Sequence, residues 1–292
     1  MHPRRRFLHQ TGILTAGLMT DSCDLFNKTS KKPGIQLYTL RNDIGKDVKG
    51  VMEKVATAGF KEVETFGLSA DERYFGLTVK EFSGLLKNNG LTSPSGHYTP
   101  AKMLFENGNG DDVKKLCDVG NLLGHKYIII PYLNDSQRKN LDQYKILAEK
   151  FNKAGEICKK NNQQLAYHNH DFEFIEMDGR SGYDVFLEDT DKDLLKMELD
   201  LYWVFRAGLD PVELFKKQPG RFPLWHIKDM DKGDNKLNTE IGKGTIDFKR
   251  LMANAKLAGA KHFYLEQENN YLPDYYSSIQ TSSDYMRKNL MK

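Results

Sequence analysis

The chain has 292 residues, of which 39% are hydrophobic and 28% charged, a composition typical of a globular protein with a sizeable core. Its formal net charge is +3. The first 23 residues contribute three arginines and one aspartate, and without them 40 basic residues face 39 acidic ones, a net of +1. A nearly neutral protein lacks the basic surface that binds duplex nucleic acid, so we expect no nucleic-acid partner.

Residues 1–23 resemble a twin-arginine export signal. Three arginines at 4–6 precede an apolar stretch at 11–20, which is too short to span a bilayer. Cys23 is a candidate lipidation site, although the residues before it form a poor lipobox. We therefore predict a periplasmic protein, with Cys23 as a candidate lipid anchor and the polar segment 24–33 as a linker. The alternative is a disordered basic N-terminus on a cytosolic protein.

From residue 34 onward, strand-like and helix-like segments alternate. The segment 34–38 predicts a strand, and an amphipathic helix over about 46–58 follows it and ends at Gly59. The segment 126–131 is apolar on both faces, as strands of a helix-covered parallel sheet are. Further strands are predicted at 61–65, 91–97, 164–170, 194–200, 222–228 and 262–266, and further helices at 79–88, 111–123, 136–160, 182–188, 201–217, 247–258 and 274–290.

Eight strands alternating with about eight helices predict an α/β fold, a single-domain (β/α)8 TIM barrel over residues 34–292. An open, doubly wound sheet is the structural alternative. The first strand, however, lacks the glycine-rich phosphate turn that such a sheet usually carries for nucleotides. In a TIM barrel, the C-terminal ends of the strands surround one mouth, where active sites lie.

Four consecutive strands, the fifth to the eighth, end in residue types that bind metals. A single histidine or aspartate at a strand end is more often a cap or a hydrogen-bonded rim residue than a ligand. Four such residues at neighbouring strand ends instead favour one divalent ion such as Mn²⁺, Co²⁺, Zn²⁺ or Mg²⁺. The predicted ligands are His168, Asp200, His226 and Glu266.

Other polar residues are predicted to reach the same mouth. His170 and Lys228 each lie two residues beyond a proposed ligand, and therefore on the same face of their strand. Glu64 and His97 end the second and third strands, on the opposite side of the rim. His97 and Lys228 are candidate proton carriers, or else ion-pair partners of Glu64 and Asp229.

Aromatic and amide groups complete the predicted pocket. Tyr38 and Gln36 can contribute from the first strand. The aromatic residues at 202–205 belong either to the core or to the wall of a sugar-binding pocket. Trp203 is the member of this group that we expect to contact a sugar.

Several motifs together resemble the sugar phosphate isomerase/epimerase family of xylose-isomerase-like TIM barrels. The resemblance covers about residues 34–290. It implies one divalent metal on the four predicted ligands, and it implies that Glu173 and Lys228 touch substrate hydroxyls. The motifs are Tyr-His-Asn-His-Asp-Phe-Glu-Phe at 167–174, Met-Glu-Leu-Asp-Leu-Tyr-Trp at 197–203, Arg-Ala-Gly-Leu-Asp-Pro at 206–211, His-Ile-Lys-Asp at 226–229, Glu-Ile-Gly-Lys-Gly-Thr-Ile-Asp-Phe at 240–248 and Glu-Gln-Glu at 266–268.

One position departs from that family. Its ketose epimerases use two facing metal-bound glutamates to move a proton across the substrate carbon, whereas the fifth strand here carries His168 and only Glu266 remains. Exported relatives with a His-Asn-His strand resemble lyases and hydratases acting on 3-keto-glycosides. In that reaction the 3-carbonyl acidifies the C2 proton, and the glycosidic oxygen leaves from C1.

The sequence therefore predicts a divalent-metal-dependent sugar isomerase or epimerase that abstracts a proton beside a carbonyl polarised by the metal. A 3-keto-glycoside lyase or hydratase is the alternative. Glu266 is the first candidate for the base. The candidates for the acid or for oxyanion stabilisation are His170, Lys228 and His97, and the expected substrate-binding residues are Glu64, Glu173, Tyr38 and Trp203.

Two hypotheses from other functional classes stay open. A metal-dependent apurinic endonuclease shares this barrel, but it would need more histidine and carboxylate ligands and a basic groove. A non-catalytic periplasmic sugar-binding protein would keep the aromatic wall and tolerate loss of the metal.

Overall fold

The protein is described here by a computed structural model that covers residues 31–292. The predicted export signal at 1–23, the candidate lipid anchor Cys23 and most of the linker lie outside these described residues. The first strand begins at Pro33, one residue earlier than predicted.

Eight parallel strands close into a barrel, which confirms the predicted (β/α)8 fold. The strands follow one another around the barrel in chain order, and β1 closes the ring by pairing with both β2 and β8. The strands are β1 Pro33–Gln36, β2 Glu62–Thr65, β3 Thr92–His97, β4 Tyr127–Ile130, β5 Gln164–His168, β6 Leu195–Asp200, β7 Leu224–Ile227 and β8 His262–Leu265.

Helices cover the outside of the barrel, as the doubly apolar strand β4 requires. Within residues 31–292, no helix combines the length and the apolar run needed to cross a bilayer. The helices are α1 Arg41–Ile44, α2 Val48–Thr57, α3 Val79–Asn88, α4 Ala101–Phe105, α5 Asp111–Leu123, α6 Leu141–Lys160, α7 Gly182–Asp189, α8 Leu201–Arg206, α9 Pro211–Lys217, α10 Phe248–Ala253, α11 Ala255–Ala258 and α12 Tyr275–Tyr285.

Side-chain caps set where several helices begin. Asp47 accepts a hydrogen bond from the backbone N–H of Gly50 at the start of α2. Thr78 and Glu81 form a reciprocal capping box at the start of α3. Each cap satisfies backbone N–H groups that the first turn leaves without a partner. The predicted helix over 201–217 is two helices, because α8 ends at Arg206 and Pro211 begins α9.

Three two-stranded hairpins, which the sequence analysis did not predict, lie in loops after the strands. Their strands are two residues long, so they carry no hydrophobic period. They pair Arg73–Tyr74 with Leu77–Thr78, Glu176–Met177 with Arg180–Ser181, and Asp229–Met230 with Asn238–Thr239.

The interior of the barrel has an apolar part and a polar part. A small buried cluster of five residues is separate from the large core between the strands and the helices. Three of them lie two residues before His168, His226 or Glu266 and therefore on the same strand face, because alternate residues of a strand share one face. This apolar floor consists of Tyr127, Ile129, Ala166, Leu224 and Tyr264.

Candidate metal centre

The four predicted ligands lie where β5 to β8 end. His168 and Asp200 are the last residues of β5 and β6, and Glu266 directly follows β8. Asp200 is the register partner of His226 across β6 and β7. The parallel register therefore brings these side chains to one level of the barrel mouth.

These residues, which we call the metal set, offer ligand atoms that all lie within 4.8 Å of one another. His226 Nδ1 lies 3.1 Å from His168 Nε2 and 3.0 Å from Glu266 Oε2. His168 Nε2 lies 3.6 Å from Asp200 Oδ2. Ligands of a tetrahedral Zn²⁺ are about 3.4 Å apart at ordinary bond lengths. The metal set consists of His168, Asp200, His226 and Glu266.

The chemistry of the metal set fits a divalent cation. None of the four residues is more than 4% exposed. Asp200 Oδ2 is buried and accepts no well-formed hydrogen bond from the described residues. Burial lowers the pKa of His168 to about 4, so this ring is neutral and able to donate a lone pair at pH 7. Burial opposes the protonation of His226, but Glu198 and Glu266 outweigh it and raise its pKa well above the usual value, so this ring would have to lose a proton to bind a cation. Two imidazoles and two carboxylates suit a borderline divalent metal.

Lys228 places a buried ammonium beside the metal set. Its Nζ lies 3.1 Å from Asp200 Oδ2, 2.7 Å from Glu266 Oε2 and 2.7 Å from Glu268 Oε1. Burial disfavours the ammonium, but the three carboxylates outweigh it and hold the pKa of Lys228 well above its usual value. Burial likewise opposes the ionisation of Glu266, yet Lys228 and His226 hold its pKa well below the usual value.

A second cluster lies on the other edge of the His226 ring. His226 Nε2 is 2.8 Å from Glu64 Oε1 and 3.4 Å from Glu198 Oε2. His97 Nε2 is 2.8 Å from the same Glu198 oxygen and 3.0 Å from Glu64 Oε1. One ligand atom from each residue again lies within 4.8 Å of the others. The second cluster therefore consists of Glu64, His97, Glu198 and His226.

Opposite shifts of pKa accompany these contacts. Burial raises the pKa of Glu198 to about 8, and the neighbouring Glu64 carboxylate adds to this shift. Burial opposes the protonation of His97, but Glu64 and Glu198 outweigh it and raise the pKa to about 9. Burial also opposes the ionisation of Glu64, but His97 and His226 lower its pKa well below the usual value.

The sequence analysis missed Glu198. It lies two residues before Asp200 on β6 and thus on the same inward face. The two-residue spacing from Asp200 could have indicated Glu198, but the prediction considered only residues at the strand ends. The analysis also assigned Glu64 and His97 to the opposite side of the rim, whereas both reach His226 or its partners across the narrow barrel.

Two neutral side chains hold Glu64 in place. Gln36 Nε2 donates to Glu64 Oε1 at 2.8 Å, and Ser95 Oγ donates to Glu64 Oε2 at 2.6 Å. Ser95 Oγ also lies 2.9 Å from the hydroxyl of Tyr264 in the apolar floor. Both oxygens of Glu64 therefore have fixed positions before any ligand binds.

A cavity of about 730 Å³ opens onto the metal set. One wall is polar, and the other, formed by the loops after β2 and β4 and by α5, is largely apolar. Of the residues predicted to bind substrate, Tyr38 lines this cavity, whereas Glu64, Glu173, Trp203 and Lys228 do not. The polar wall consists of His97, His168, His170, Glu266 and Glu268, and the apolar wall includes Phe66, Leu68, Leu116, Val119, Pro131 and Tyr132.

His170 is held between aromatic rings at the edge of the cavity. Its ring is parallel to Phe172 at a centroid distance of 5.3 Å and perpendicular to Tyr132 at 5.1 Å. Neither ring nitrogen hydrogen-bonds within residues 31–292. Burial, together with the positive charges of its neighbours, lowers the pKa of His170 well below its usual value.

Glu173 and Trp203 support the site from outside the cavity. Glu173 is fully buried, accepts a hydrogen bond from the hydroxyl of Tyr167, and accepts another from the backbone N–H of His170 at 2.8 Å. Burial raises its pKa to about 7. The Trp203 ring lies 5.3 Å from His170 and 5.4 Å from Lys228 Nζ. Both residues thus contact groups that line the cavity or hold the metal set.

Asp229 is not the partner of Lys228. Its carboxylate instead accepts backbone N–H bonds from Gly242 at 2.9 Å, Gly244 at 3.0 Å and Ile246 at 3.2 Å. It therefore organises the loop after β7, and Lys228 pairs with carboxylates of the site.

A family model, solved structures and related sequences were compared with this chain, and all of them are similar to it over a TIM-barrel domain. A family model described as xylose isomerase-like TIM barrel matches residues 52–289. The crystal structure of a sugar phosphate isomerase/epimerase from Parabacteroides distasonis is 30% identical, with a TM-score of 0.80 over 91% of this chain and 97% of that one. An inosose dehydratase of Clostridium botulinum is 23% identical over 279 residues, 85% of this chain and 89% of the relative. The chain spans 42% of the inosose dehydratase of Clostridium perfringens, at 27% identity over 128 residues.

Proposed function

Because the chain belongs to the xylose isomerase-like TIM barrel family, we propose that it is a divalent-metal-dependent lyase acting on a carbohydrate. The reaction removes a proton beside a carbonyl and expels an oxygen from the next carbon. One observation carries this proposal. The polar wall of the cavity presents both a carboxylate, Glu266, and an imidazole without a hydrogen-bond partner among the described residues, His170.

The metal set would hold the cation through two imidazole nitrogens and two carboxylate oxygens. A divalent cation bound there supplies Lewis acidity, which acidifies a C–H bond beside a carbonyl. Lys228 keeps Asp200 and Glu266 ionised and close together. Asp200 Oδ1 also accepts the backbone N–H of Trp203 at 3.1 Å, which fixes the rotamer of Asp200 at the start of α8.

His170 is our first choice for the proton carrier. Glu266 Oε2 already contacts both Lys228 Nζ and His226 Nδ1, whereas the ring nitrogens of His170 have no partner among the described residues. His170 takes the proton from carbon as a C=C bond forms. It then returns the proton to the oxygen whose bond to the next carbon breaks. The sequence analysis favoured Glu266 as the base, and substitution of each residue separates the two roles.

The relatives support elimination. One relative is an inosose dehydratase, an enzyme that by its name removes water from an inosose, and it aligns over 85% of this chain at 23% identity. A 3-keto-glycoside presents the same arrangement of carbonyl, acidic proton and leaving oxygen. The cavity of about 730 Å³ is large enough for a ring with a substituent.

Incubation of the metal-loaded protein with a 3-keto-glucoside and with an inosose tests the reaction. We expect release of the aglycone or of water, with an absorbing enone product. Solvent deuterium entering the substrate without any elimination product would contradict the lyase proposal.

That contrary result would support the second candidate, a sugar epimerase or isomerase. The observation in its favour is the 30% identity with the Parabacteroides protein described as a sugar phosphate isomerase/epimerase. An epimerase needs a proton carrier on each face of the substrate carbon, and Glu266 and His170 would then share that work.

We also propose, from residues 1–23 alone, that the protein is exported to the periplasm. The ligand that we propose for it, a small carbohydrate, follows from the family. Fractionation of cells producing the full chain tests the location, with the Arg4→Lys and Arg5→Lys double substitution as the comparison. Membrane-associated protein that becomes soluble on Cys23→Ser would support a lipid anchor.

A further inference from the structure

The second cluster has the composition of a cation site that the proposed function does not use. It contains two imidazoles and two carboxylates, drawn from β2, β3, β6 and β7. Its members are fully buried apart from His97, whose side chain is 10% exposed and lines the cavity. An ion could therefore enter from the cavity beside His97.

The ligand atoms converge on one point. Four of their separations are 2.8, 3.0, 2.8 and 3.4 Å, close to the spacing of about 3.4 Å around a tetrahedral Zn²⁺. The rings of His97 and His226 are nearly parallel, with 12° between their planes and 5.6 Å between their centroids. Both rings therefore present Nε2 to the same two carboxylates.

Hydrogen bonds alone leave this arrangement incomplete. His97 Nε2 can donate to Glu198 Oε2 and His226 Nε2 to Glu64 Oε1, both at 2.8 Å, and these bonds leave one carboxylate oxygen of the cluster without a donor. Glu198 Oε1 is buried and has no hydrogen-bond partner among the described residues. A buried acceptor without a partner is costly, and a cation bound by this carboxylate would compensate it.

We propose that the second cluster binds a second divalent cation, and that His226 bridges the two sites through Nδ1 and Nε2. The cation is of the borderline class that takes nitrogen and oxygen ligands, such as Zn²⁺, Co²⁺ or Mn²⁺. Two ionised carboxylates and a divalent cation sum to zero charge. Gln36 and Ser95 hold Glu64 ready for it from outside the cluster.

Metal content of the purified, Zn²⁺-loaded and dialysed full chain tests the proposal. We expect two Zn²⁺ per chain in the natural protein, one in Glu198→Gln, one in His168→Ala and fewer than one in His226→Ala. Glu62→Gln is the matched control, because Glu62 pairs with His262 at 2.8 Å away from both clusters. This control should retain two Zn²⁺. Circular dichroism and thermal unfolding show whether each variant folds.

One Zn²⁺ per chain, unchanged by Glu198→Gln and lost in His168→Ala, would overturn this proposal and leave the metal set of the proposed function intact. One Zn²⁺ lost in Glu198→Gln and kept in His168→Ala would place a single cation at the second cluster, and it would overturn both the metal set and the bridge between two cations. If Glu198→Gln fails to unfold cooperatively, His97→Gln replaces it, and one Zn²⁺ is again expected.

Discussion

At the scale of single residues, the protonation state of each site residue follows from its neighbours. His168 and His170 are two residues apart on one strand end, and both are neutral because they are buried beside other positive groups. His97 faces two carboxylates and stays protonated in the absence of a cation. Three histidines within a few ångströms of one another thus differ in charge, because their partners differ.

Substitution of His170 should separate proton transfer from metal binding. We expect His170→Asn to lower the elimination rate by about 100-fold or more, because no unpartnered imidazole remains at the cavity wall. Its metal content should equal that of the natural protein. Phe172→Leu, which removes the stacked ring and keeps the imidazole, is the control and should lose far less activity. Equal losses in the two variants would argue for a packing role of His170.

Substitution of Lys228 should show how much its ammonium group stabilises the three carboxylates around it. In metal-free protein, Lys228→Met leaves Asp200, Glu266 and Glu268 without their buried cation. We expect a loss of about 3–5 kcal/mol in the free energy of unfolding, measured by denaturant titration. Lys243→Met removes an exposed lysine that lies 3.2 Å from Glu240 and should cost less than about 1 kcal/mol. Similar losses for both lysines would contradict the charge balance described here.

At the scale of elements, the positions of the strands could be predicted from the sequence, but the contacts between their side chains across the barrel could not. Strands such as β4, β7 and β8 stand out as apolar runs between helix periods, whereas β3 is polar. Three of the four predicted ligands end or directly follow their strands, and His226 is the last residue but one of β7. Glu198 was not predicted, because the alternation of residues along a strand shows which residues share a face but does not show that this face lines the polar interior of the barrel. Glu64 and His97 were predicted at the rim, but only the closed ring shows that they meet His226.

The residue that leads into β4 gives a pH test of stability. His125 is buried between Ser93 and Tyr98, and burial lowers its pKa to about 3. The unfolded chain binds a proton at its ordinary histidine pKa of about 6.5, whereas the folded protein does not. Unfolding is therefore favoured as pH falls below about 6.5, by about 1.4 kcal/mol per pH unit.

We expect the free energy of unfolding of the natural protein to fall by about 1 kcal/mol relative to His125→Gln between pH 6.5 and 5.5, because the unfolded chain is only half protonated at the upper end of this range. Chemical denaturation at a series of pH values measures it. Parallel pH profiles for the two proteins would show that the proton is taken up elsewhere.

The loop after β7 depends on a single carboxylate. Asp229 accepts four backbone N–H bonds, from Met230 and from three residues between 242 and 246. We expect Asp229→Ala to expose residues 231–246 to limited proteolysis and to cost about 1–3 kcal/mol. Asp231→Ala, at an exposed turn of the same loop, should leave the cleavage pattern unchanged. Cleavage at equal rates in both would show that the loop is held by other contacts.

At the scale of the whole molecule, a bound cation links four or more strands across the barrel. Because the metal set draws on β5 to β8, removal of the cation should lower global stability. Saturation at 100-fold over the dissociation constant contributes about 2.7 kcal/mol. We expect chelation by EDTA to lower the unfolding temperature of the natural protein and to change that of His226→Ala, which lacks a ligand of both clusters, much less. An unfolding temperature insensitive to EDTA in both would contradict the metal assignment.

The apolar floor also decides how molecules come and go. Tyr264 and the other four residues of the apolar floor fill the barrel below the polar residues, and the cavity among the described residues opens at the strand ends. Substrate enters and products leave through that same opening. The larger fragment has to depart before the next molecule can enter, and it should therefore compete directly with fresh substrate.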